Sequence, residues 1–200
     1  MPRPMLATLL VLAALPAAAQ DRPPIIPTRD VAITYRVTGN AANQGGVQSL
    51  SMAWQAASQT MRMDMPGMGW MVADHRGQRA FMVMEQQRMV MELPMAQAMQ
   101  QYGPSDRASY TREGTDTVAG LSCTIWRYQD GPNQGRACVT ADGVMLRAQG
   151  THQGQSGGLE ATRVTYGQQD PARFQVPAGY QRMQMPGGMP GMPPAPRPTR

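Results

Sequence analysis

The sequence predicts a mainly β protein, built as an antiparallel meander of short strands joined by tight turns. Three observations predict this class. Apolar residues alternate with others from Val31 to Val37, methionine recurs at every second position in runs between Met61 and Met91, and Pro-Gly and Asp-Gly pairs separate such runs. Because successive side chains of a β-strand point to opposite faces of a sheet, each run places its apolar side chains on one face.

Residues 1–19 have the pattern of a secretory signal peptide. One positive charge at Arg3 precedes an apolar run, and small residues end the segment. The run is shorter than the ~20 apolar residues that a membrane-spanning helix needs. We therefore expect cleavage near Ala19-Gln20 and a mature protein in the periplasm or secreted, with no transmembrane segment.

The rest of the chain, about 180 residues, suits one domain with its own core. We predict an N-terminal lead at 20–29, a single domain at 30–180 and a disordered tail at 181–200. The tail is rich in methionine, proline and glycine, a composition that does not pack into a core. The net charge of +5, which becomes +4 without Arg3, does not favour nucleic acid as a partner.

Alternation and turn residues predict the strands in chain order. They lie at about 31–37, 48–56, 61–65, 68–74, 79–85, 88–93, 109–118, 121–129, 135–140, 144–151 and 159–166. Asp142-Gly143 is the strongest short hairpin signal in the chain. The glycine-rich stretch 152–158 is predicted to be a flexible loop.

Between the two groups of strands, the stretch from Pro94 to Gly103 predicts a short helix. Apolar residues there lie four apart, proline suits the first helical turn, and glycine suits the C-terminal cap. Such a helix is either a connector packed over one end of the sheet or a lid over the methionines.

Cys123 and Cys138 are the two cysteines of the chain. An even count in an exported protein favours a disulfide. Their midpoint falls at Asp130-Gly131, so a hairpin centred there would place them opposite each other. A redox pair usually has C-x-x-C spacing, and a metal site needs further ligands nearby, so we predict a structural disulfide.

No segment of the sequence matches a catalytic signature, and we expect neither enzyme activity nor a cofactor. The sequence contains no HExxH motif, GxSxG motif or phosphate-binding loop. His75 falls in a predicted turn and His152 in a predicted loop. Glu113 and Asp116 point to opposite faces if their strand is regular, and solvated charged faces explain them.

The methionine runs are the main candidate binding surface. Methionine is unbranched and polarizable, so repeated methionines form an apolar surface that adapts its shape. We expect this surface to bind a lipid acyl chain or another apolar ligand; the alternative is that these side chains are the core of a one-sided sheet. The candidate lining is Leu50, Met52, Trp54, Met61, Met63, Met65, Met82, Met84, Met89, Met91, Met95 and Met99.

A second hypothesis is a Cu(I) or Ag(I) site, because thioethers are soft ligands that select such ions. Two Met-x-Met runs fit, one in the strands and one in the tail. A structural or protein-interaction role that uses the tail is a third possibility. The candidate metal ligands are Met61, Met63, Met65, Met68, Met183, Met185, Met189 and Met192.

The order of these elements resembles a known family. The resemblance rests on an exported strand meander, a proline-led short helix, Ala-Gly-Leu-Ser-Cys at 119–123, a second cysteine on the next strand, and Phe-Gln-Val-Pro-Ala-Gly-Tyr at 174–180. Over about Asp30 to Tyr180, the chain resembles a bacterial domain-of-unknown-function family related to the LolA-like superfamily of periplasmic lipoprotein carriers. The resemblance implies a strongly curved antiparallel sheet, an incomplete β-barrel, whose concave face is covered by one or two short helices and holds acyl chains. It implies no catalytic residues.

Overall fold

The computed structural model describes residues 22–40, 42, 47–95, 107–152 and 154–184. Within these residues the chain forms twelve strands and the short 3-10 helix Pro171–Phe174, and residues 40, 42 and 95 are also helical. The predicted mainly β class is confirmed. The strands are β1 Val31–Gly39, β2 Ser49–Gln55, β3 Thr60–Met65, β4 Gly69–Asp74, β5 Arg79–Met84, β6 Met89–Pro94, β7 Ser109–Val118, β8 Leu121–Asp130, β9 Asn133–Val139, β10 Met145–His152, β11 Gln155–Tyr166 and β12 Gln181–Gln184.

All twelve strands belong to one sheet, in the order β12-β6-β5-β4-β3-β2-β1-β11-β10-β9-β8-β7. Strands β1 to β6 and strands β7 to β11 each pair as successive antiparallel neighbours, and the antiparallel pairing of β1 with β11 joins the two halves. Only β12 is parallel to its neighbour, β6, among the described strands. The sheet is strongly curved, and over the described residues it does not close into a barrel.

The sheet curves toward the face that carries Val31, Ile33 and Tyr35, three residues of β1 that are at most 2% exposed. The Tyr35 hydroxyl donates a hydrogen bond to the carbonyl oxygen of Met145 at 2.7 Å. Met145 lies on β10, beyond the neighbouring strand β11, so the tyrosine side chain crosses the inside of the curve. We call this side the concave face and the other side the convex face.

The main core lies around these β1 residues. It gathers residues from both halves of the sheet, including the disulfide, and Met52, Met61 and Met63 pack against its edge. The buried members are Val31, Ile33, Tyr35, Leu50, Trp54, Val118, Cys123, Cys138, Val144, Leu146 and Ala161.

The convex face of β2 to β6 is covered by the segment 167–180, which we call the C-terminal strap. The Gln55 side chain donates to the carbonyl oxygen of Gln169 at 3.4 Å, and Arg62 Nη1 donates to the carbonyl oxygen of Arg173 at 2.6 Å. The 3-10 helix Pro171–Phe174 is part of this strap. The 3-10 helix therefore lies on the convex side, whereas Met95, which is helical, packs on the concave side with Ala73 and Ala80.

The strap ends in a strand that the sequence analysis assigned to the disordered tail. Residues 181–184 form β12, which pairs with β6 from Gln181 opposite Met89 to Gln184 opposite Glu92. Composition missed this strand because a parallel edge pairing depends on where the strap delivers the chain, not on local alternation. The predicted disorder of these four residues is therefore wrong.

Residues 155–158, predicted to lie in a flexible loop, form the beginning of β11. Gly157 lies opposite Gly150 on β10 and Gly39 on β1, and Gly158 lies opposite Gln149. A Cβ atom on Gly158 would lie 2.4 Å from the carbonyl oxygen of Ala148. These glycines permit close approach of neighbouring strands, so the loop prediction is wrong for a packing reason.

The predicted disulfide joins Cys123 and Cys138, whose Cα atoms lie 5.3 Å apart. The hairpin turn lies between Asp130 and Asn133, one residue later than the midpoint between the cysteines. In the register of β8 and β9, Cys138 therefore lies opposite Ile125 rather than opposite Cys123. The pairing of the cysteines is confirmed, whereas their direct opposition is wrong by two positions.

Three predicted features fall outside the described residues. They are the signal peptide at 1–19, the greater part of the helix from Pro94 to Gly103, and the tail beyond Gln184. In the ranges that the structure describes, no helix combines the length and apolar character needed to cross a bilayer.

Candidate functional site

The strand register places six methionines from six neighbouring strands in one continuous row. Each lies opposite the next, and the first lies opposite Ile33 on the concave face. We call this row the methionine ladder, and its members in sheet order are Met52, Met63, Met71, Met82, Met91 and Met183. Because directly opposed Cβ atoms lie about 4.5–5.5 Å apart, neighbouring thioethers of the ladder are in reach of one another.

Further methionines flank the ladder on the same side. Met61 lies opposite Trp54 and Ala73, and Met84 lies opposite Met89. Met65 lies on this side too, because it is two positions after Met63 on β3. We use the name methionine face for the ladder together with Met61, Met65, Met84 and Met89.

The methionine face is partly exposed, whereas the opposite face of the same strands is largely covered by the C-terminal strap. Met183 is 48% exposed, and the other methionines of the face are half-buried. On the convex side, Val83 and Val90 are fully buried and Val72 is 1% exposed, packed beside the strap. The strands β4 to β6 therefore bury one apolar side and leave the other partly open.

Arg62, which stacks on Trp70, helps to hold the strap on the convex side. The Arg62 guanidinium lies 3.9 Å from the centre of the Trp70 ring, and its Nε donates to Asp64 at 2.9 Å. The Trp70 indole in turn donates to Glu85 at 3.0 Å and meets Phe81 edge-on. These contacts keep the polar groups of the convex face paired.

Leu50 and Trp54, two predicted lining residues, are part of the core. They are 9% and 3% exposed, and the Trp54 indole donates to the carbonyl oxygen of Pro27 at 2.8 Å. They form the closed end of the concave face, where it meets the disulfide. These two residues therefore belong to the core of the sheet, which was the alternative to a ligand-binding role.

Met95 and Met99 were predicted to come from a lid. Met95 is 4% exposed and packs with Ala73 and Ala80, which lie on the concave side. The chain that leaves β6 therefore crosses onto the edge of the methionine face. Met99 lies outside the described residues.

Sequence reasoning missed Met71, which occupies a central position in the ladder. Its neighbours Trp70 and Val72 are also apolar, so alternation does not stand out in β4. The two-residue spacing of Gly69, Met71 and Ala73 could have predicted that Met71 shares a face with small residues, opposite the face of Trp70 and Val72. Met183 was considered only as a metal ligand, since its strand was not predicted.

The predicted metal ligands do not form one site among the described residues. Met61, Met63 and Met65 share the concave side of β3, and Met68 is 51% exposed in the following turn. Met183 lies on β12, four strands from β3, which corresponds to about 19 Å at the usual strand spacing. The other three candidates, Met185, Met189 and Met192, lie outside the described residues.

A cavity that was not predicted lies on the convex side. It has a volume of about 700 Å³ between the ends of β4 to β6 and the strap. Its apolar lining includes Phe81, Phe174 and Val176. Two ion pairs stand at its rim, Asp74 with Arg79 at 3.4 Å and Glu92 with Arg182 at 3.1 Å.

The carboxylates considered for chemistry are paired with arginines. Glu113 forms ion pairs with Arg127 at 2.9 Å and with Arg136 at 2.7 Å, and Asp116 pairs with Arg147 at 2.6 Å. A hydrogen bond from its neighbouring backbone amide, followed by the arginine, lowers the pKa of Asp116 below its ordinary value. The arginine partners account for both carboxylates as members of surface ion pairs.

Neither His75 nor the other histidine, cysteine, aspartate and glutamate side chains form a metal centre in the part of the chain that is described. The His75 ring lies edge-on to Trp54, with ring centres 5.6 Å apart, so it packs against the core rather than standing free in solvent. No group of three or more histidine, cysteine, aspartate or glutamate side chains in these ranges could hold a metal ion.

Comparison with solved structures finds similar folds at low sequence identity. A crystal structure of MucB in complex with MucA(peri) has a TM-score of 0.51 at 13% identity, covering 78% of this chain and 57% of MucB. A Pseudomonas aeruginosa MucA/MucB complex has a TM-score of 0.52 at 14% identity, covering 76% and 57%. PNGF-II has a TM-score of 0.52 at 10% identity, covering 78% and 31%. The chain thus spans a little over half the length of MucB, and these likenesses concern the fold alone.

Comparison of the sequence with known families gives a more direct assignment. No curated protein matches the chain. A family model matches residues 41–165, which is more than half of the chain and includes the β2 to β6 strands of the methionine face. The predicted resemblance to a domain-of-unknown-function family is confirmed. The chain belongs to the family described as Domain of unknown function (DUF4412).

Proposed function

We propose that this protein is an exported, non-enzymatic module that binds a lipid or another apolar ligand on its methionine face. One observation carries the proposal: six methionines on six adjacent strands stand in register on the concave side, and each keeps part of its side chain exposed. Extended apolar surfaces that remain partly open usually mark binding sites.

The chemistry of the face favours a flexible apolar ligand. Thioether side chains are unbranched and polarizable, so they adjust to ligands of different shape at low cost. Leu50 and Trp54 give the face a rigid, buried end, and Met95 packs along one edge. An acyl chain lying along the ladder would contact several methionines and exclude water from them.

A peptide segment is the competing occupant. MucB, which shares the fold, was crystallised with MucA(peri). An apolar peptide could use the same methionines. Extraction of the purified protein with organic solvent, followed by mass spectrometry, separates the two, because a lipid carrier brings copurified acyl chains and a peptide-binding module does not.

The direct test uses the fluorescent apolar probe N-phenyl-1-naphthylamine. A charge in the middle of the face, as in Met82→Glu, should weaken probe binding by about tenfold or more, because burying an unpaired carboxylate is costly. Met68→Glu is the matched control, since Met68 is 51% exposed in a turn and its replacement should leave binding unchanged. Equal binding by the Met82→Glu variant and the unmodified protein would reject the methionine face.

The convex cavity provides a second comparison. Val176→Ser alters the lining of that cavity and leaves the methionine face intact. We expect this variant to bind the probe normally. Loss of binding in Val176→Ser, with normal binding in Met82→Glu, would assign the ligand to the convex cavity instead.

Binding of Cu(I) or Ag(I) is a second candidate function, favoured by the direct opposition of methionines along the ladder. Met91 and Met183 lie opposite each other, so two thioethers can approach one ion. Titration with Cu(I) against a competing chelator tests this candidate. Submicromolar affinity that is lost in Met91→Leu/Met183→Leu would support it, and affinity lost only on deleting residues 185–200 would assign the metal to the tail.

A further inference from the structure

We propose that the methionine ladder is a site of reversible oxidation, at which hypochlorous acid converts thioethers to sulfoxides and thereby releases an apolar ligand. The release step rests on the proposed function, whereas the oxidation step does not. The proposal follows from where the thioethers lie in the sheet.

The side chains of the methionine ladder are partly exposed. All ladder positions are half-buried or, at Met183, 48% exposed, so each of these residues is partly open to a small oxidant in the folded sheet. The two cysteines of the chain form a disulfide, so no thiol competes for the oxidant. The ladder therefore presents a concentrated row of oxidisable sulfur.

The chemical step is a two-electron oxygen transfer. The thioether sulfur attacks the oxygen of hypochlorous acid, an S–O bond forms, and the O–Cl bond breaks. The sulfur is oxidised by two electrons, the chlorine leaves as chloride, and the hydroxyl proton passes to water. Methionine sulfoxide reductases of the A and B types reverse the change, one for each sulfoxide epimer. In this repair a dithiol supplies two electrons and two protons and becomes a disulfide, the S–O bond breaks, and the oxygen leaves as water.

The structure separates the effect on binding from the effect on folding. A sulfoxide is a polar group, and covering it with an apolar ligand costs its hydrogen bonds to water. On the other face of β4 to β6, Val72, Val83 and Val90 are at most 1% exposed and carry no sulfur, so the burial that stabilises these three strands is not itself oxidised. Oxidation should therefore weaken ligand binding while the sheet stays folded.

Two methionines outside the ladder serve as internal references. Met68 is 51% exposed in the turn after β3, and Met95 is 4% exposed beside Ala73 and Ala80. Peptide mapping after brief treatment with hypochlorous acid should find Met68 oxidised first, the ladder next and Met95 last. A ladder oxidised as slowly as Met95 would overturn the proposal.

The functional consequence is measured with N-phenyl-1-naphthylamine before oxidation, after oxidation, and after repair by the two reductases. We expect the dissociation constant of the probe to rise about tenfold, with an unchanged far-ultraviolet circular dichroism spectrum, and to recover on repair. Unchanged binding after the ladder has been oxidised would overturn the release step.

Met71→Leu/Met82→Leu is the variant that ties the effect to the ladder. Leucine keeps the apolar character and similar volume but cannot be oxidised. Oxidation should therefore raise the dissociation constant of this variant, relative to its own unoxidised value, by less than it does for the unmodified protein. Met68→Leu should keep the full response. If the unoxidised protein binds no probe, the proposed function and the release step both fail, and the peptide mapping still decides the oxidation site.

Discussion

Met82 lies directly opposite Met71 across β5 and β4, whereas the next residue, Val83, lies opposite Trp70 on the other side of the sheet. Val83 is fully buried and Met82 is half-buried. One strand thus carries a stabilising side chain and a candidate binding side chain in adjacent positions. This arrangement allows stability and binding to be changed separately.

Truncation at these two positions should have unequal effects on stability. Val83→Ala leaves a cavity in a closed cluster and should lower the free energy of unfolding by about 2 kcal/mol. Met82→Ala removes a half-exposed side chain and should cost less than about 1 kcal/mol. Urea denaturation with an unchanged m-value measures both, and equal losses would mean that the methionine face is packed as tightly as the convex face.

Reduction of the disulfide should destabilise the protein. Cys123 and Cys138 are separated by 15 positions, and closing a loop of this length stabilises the folded state by about 3 kcal/mol in the chain-entropy model. The Cys123→Ser/Cys138→Ser variant should therefore unfold at a lower urea concentration than the oxidised protein. Adding a reductant should destabilise the unmodified protein to a similar extent and leave the variant unaffected.

Asp142 ties the N-terminal lead to the β9–β10 hairpin. Its carboxylate accepts hydrogen bonds from Arg29 Nη2 at 2.7 Å, from the Thr140 hydroxyl at 2.5 Å and from the Tyr166 hydroxyl at 3.2 Å. Burial alone would raise the pKa of Asp142, but hydrogen bonds from Thr140, Arg29 and Tyr166 outweigh it and lower the pKa below its ordinary value of 3.8.

A lowered pKa in the folded state has a definite consequence for acid stability. The contribution of Asp142 is present above the pKa of the unfolded chain and is lost as the pH falls through the lower folded value. The Asp142→Asn variant should be less stable at neutral pH and should lose less stability than the unmodified protein below about pH 4. Parallel stability curves for the two proteins across that acid range would contradict the prediction.

A row of four glycines crosses the neighbouring strands β1, β11, β10 and β9. Gly39, Gly157, Gly150 and Gly135 lie opposite one another in turn on β1, β11, β10 and β9. A Cβ atom on Gly150 would lie 2.6 Å from the carbonyl oxygen of Gln134 and 2.7 Å from the Tyr128 hydroxyl. Strands and a tyrosine side chain therefore occupy the space that side chains would need.

Gly150→Ala should consequently destabilise the protein by about 2 kcal/mol or more, because the backbone of β9 must shift. Gly120→Ala is the matched control: its φ is +78° but no atom lies within 4 Å of the added Cβ, so backbone strain of about 1 kcal/mol is the expected cost. Thermal denaturation compares the two. A larger loss in Gly120→Ala than in Gly150→Ala would show that the glycine row is not closely packed.

Local patterns predicted strands β1 to β11, although not the beginning of β11. Alternation predicted β7 with its observed bounds, Asp142-Gly143 marked the β9–β10 turn, and the two cysteines form the predicted pair. These features depend on residues that are close in sequence, where the two-residue period and turn preferences act directly. The alternation of methionine likewise assigned the side chains of β3, β5 and β6 to one face each.

Long-range pairing decided the rest. The sequence alone determined that most strands have an apolar side, but β4 and β5 are apolar on both sides, with Trp70 and Val83 facing away from Met71 and Met82. Only the tertiary structure decided which side is covered. The strap that covers Trp70 and Val83 comes from residues about a hundred positions later, as the hydrogen bond from Arg62 to Arg173 shows. The same strap brings Met183 opposite Met91, since register between distant strands is set by the path of the chain and not by local alternation.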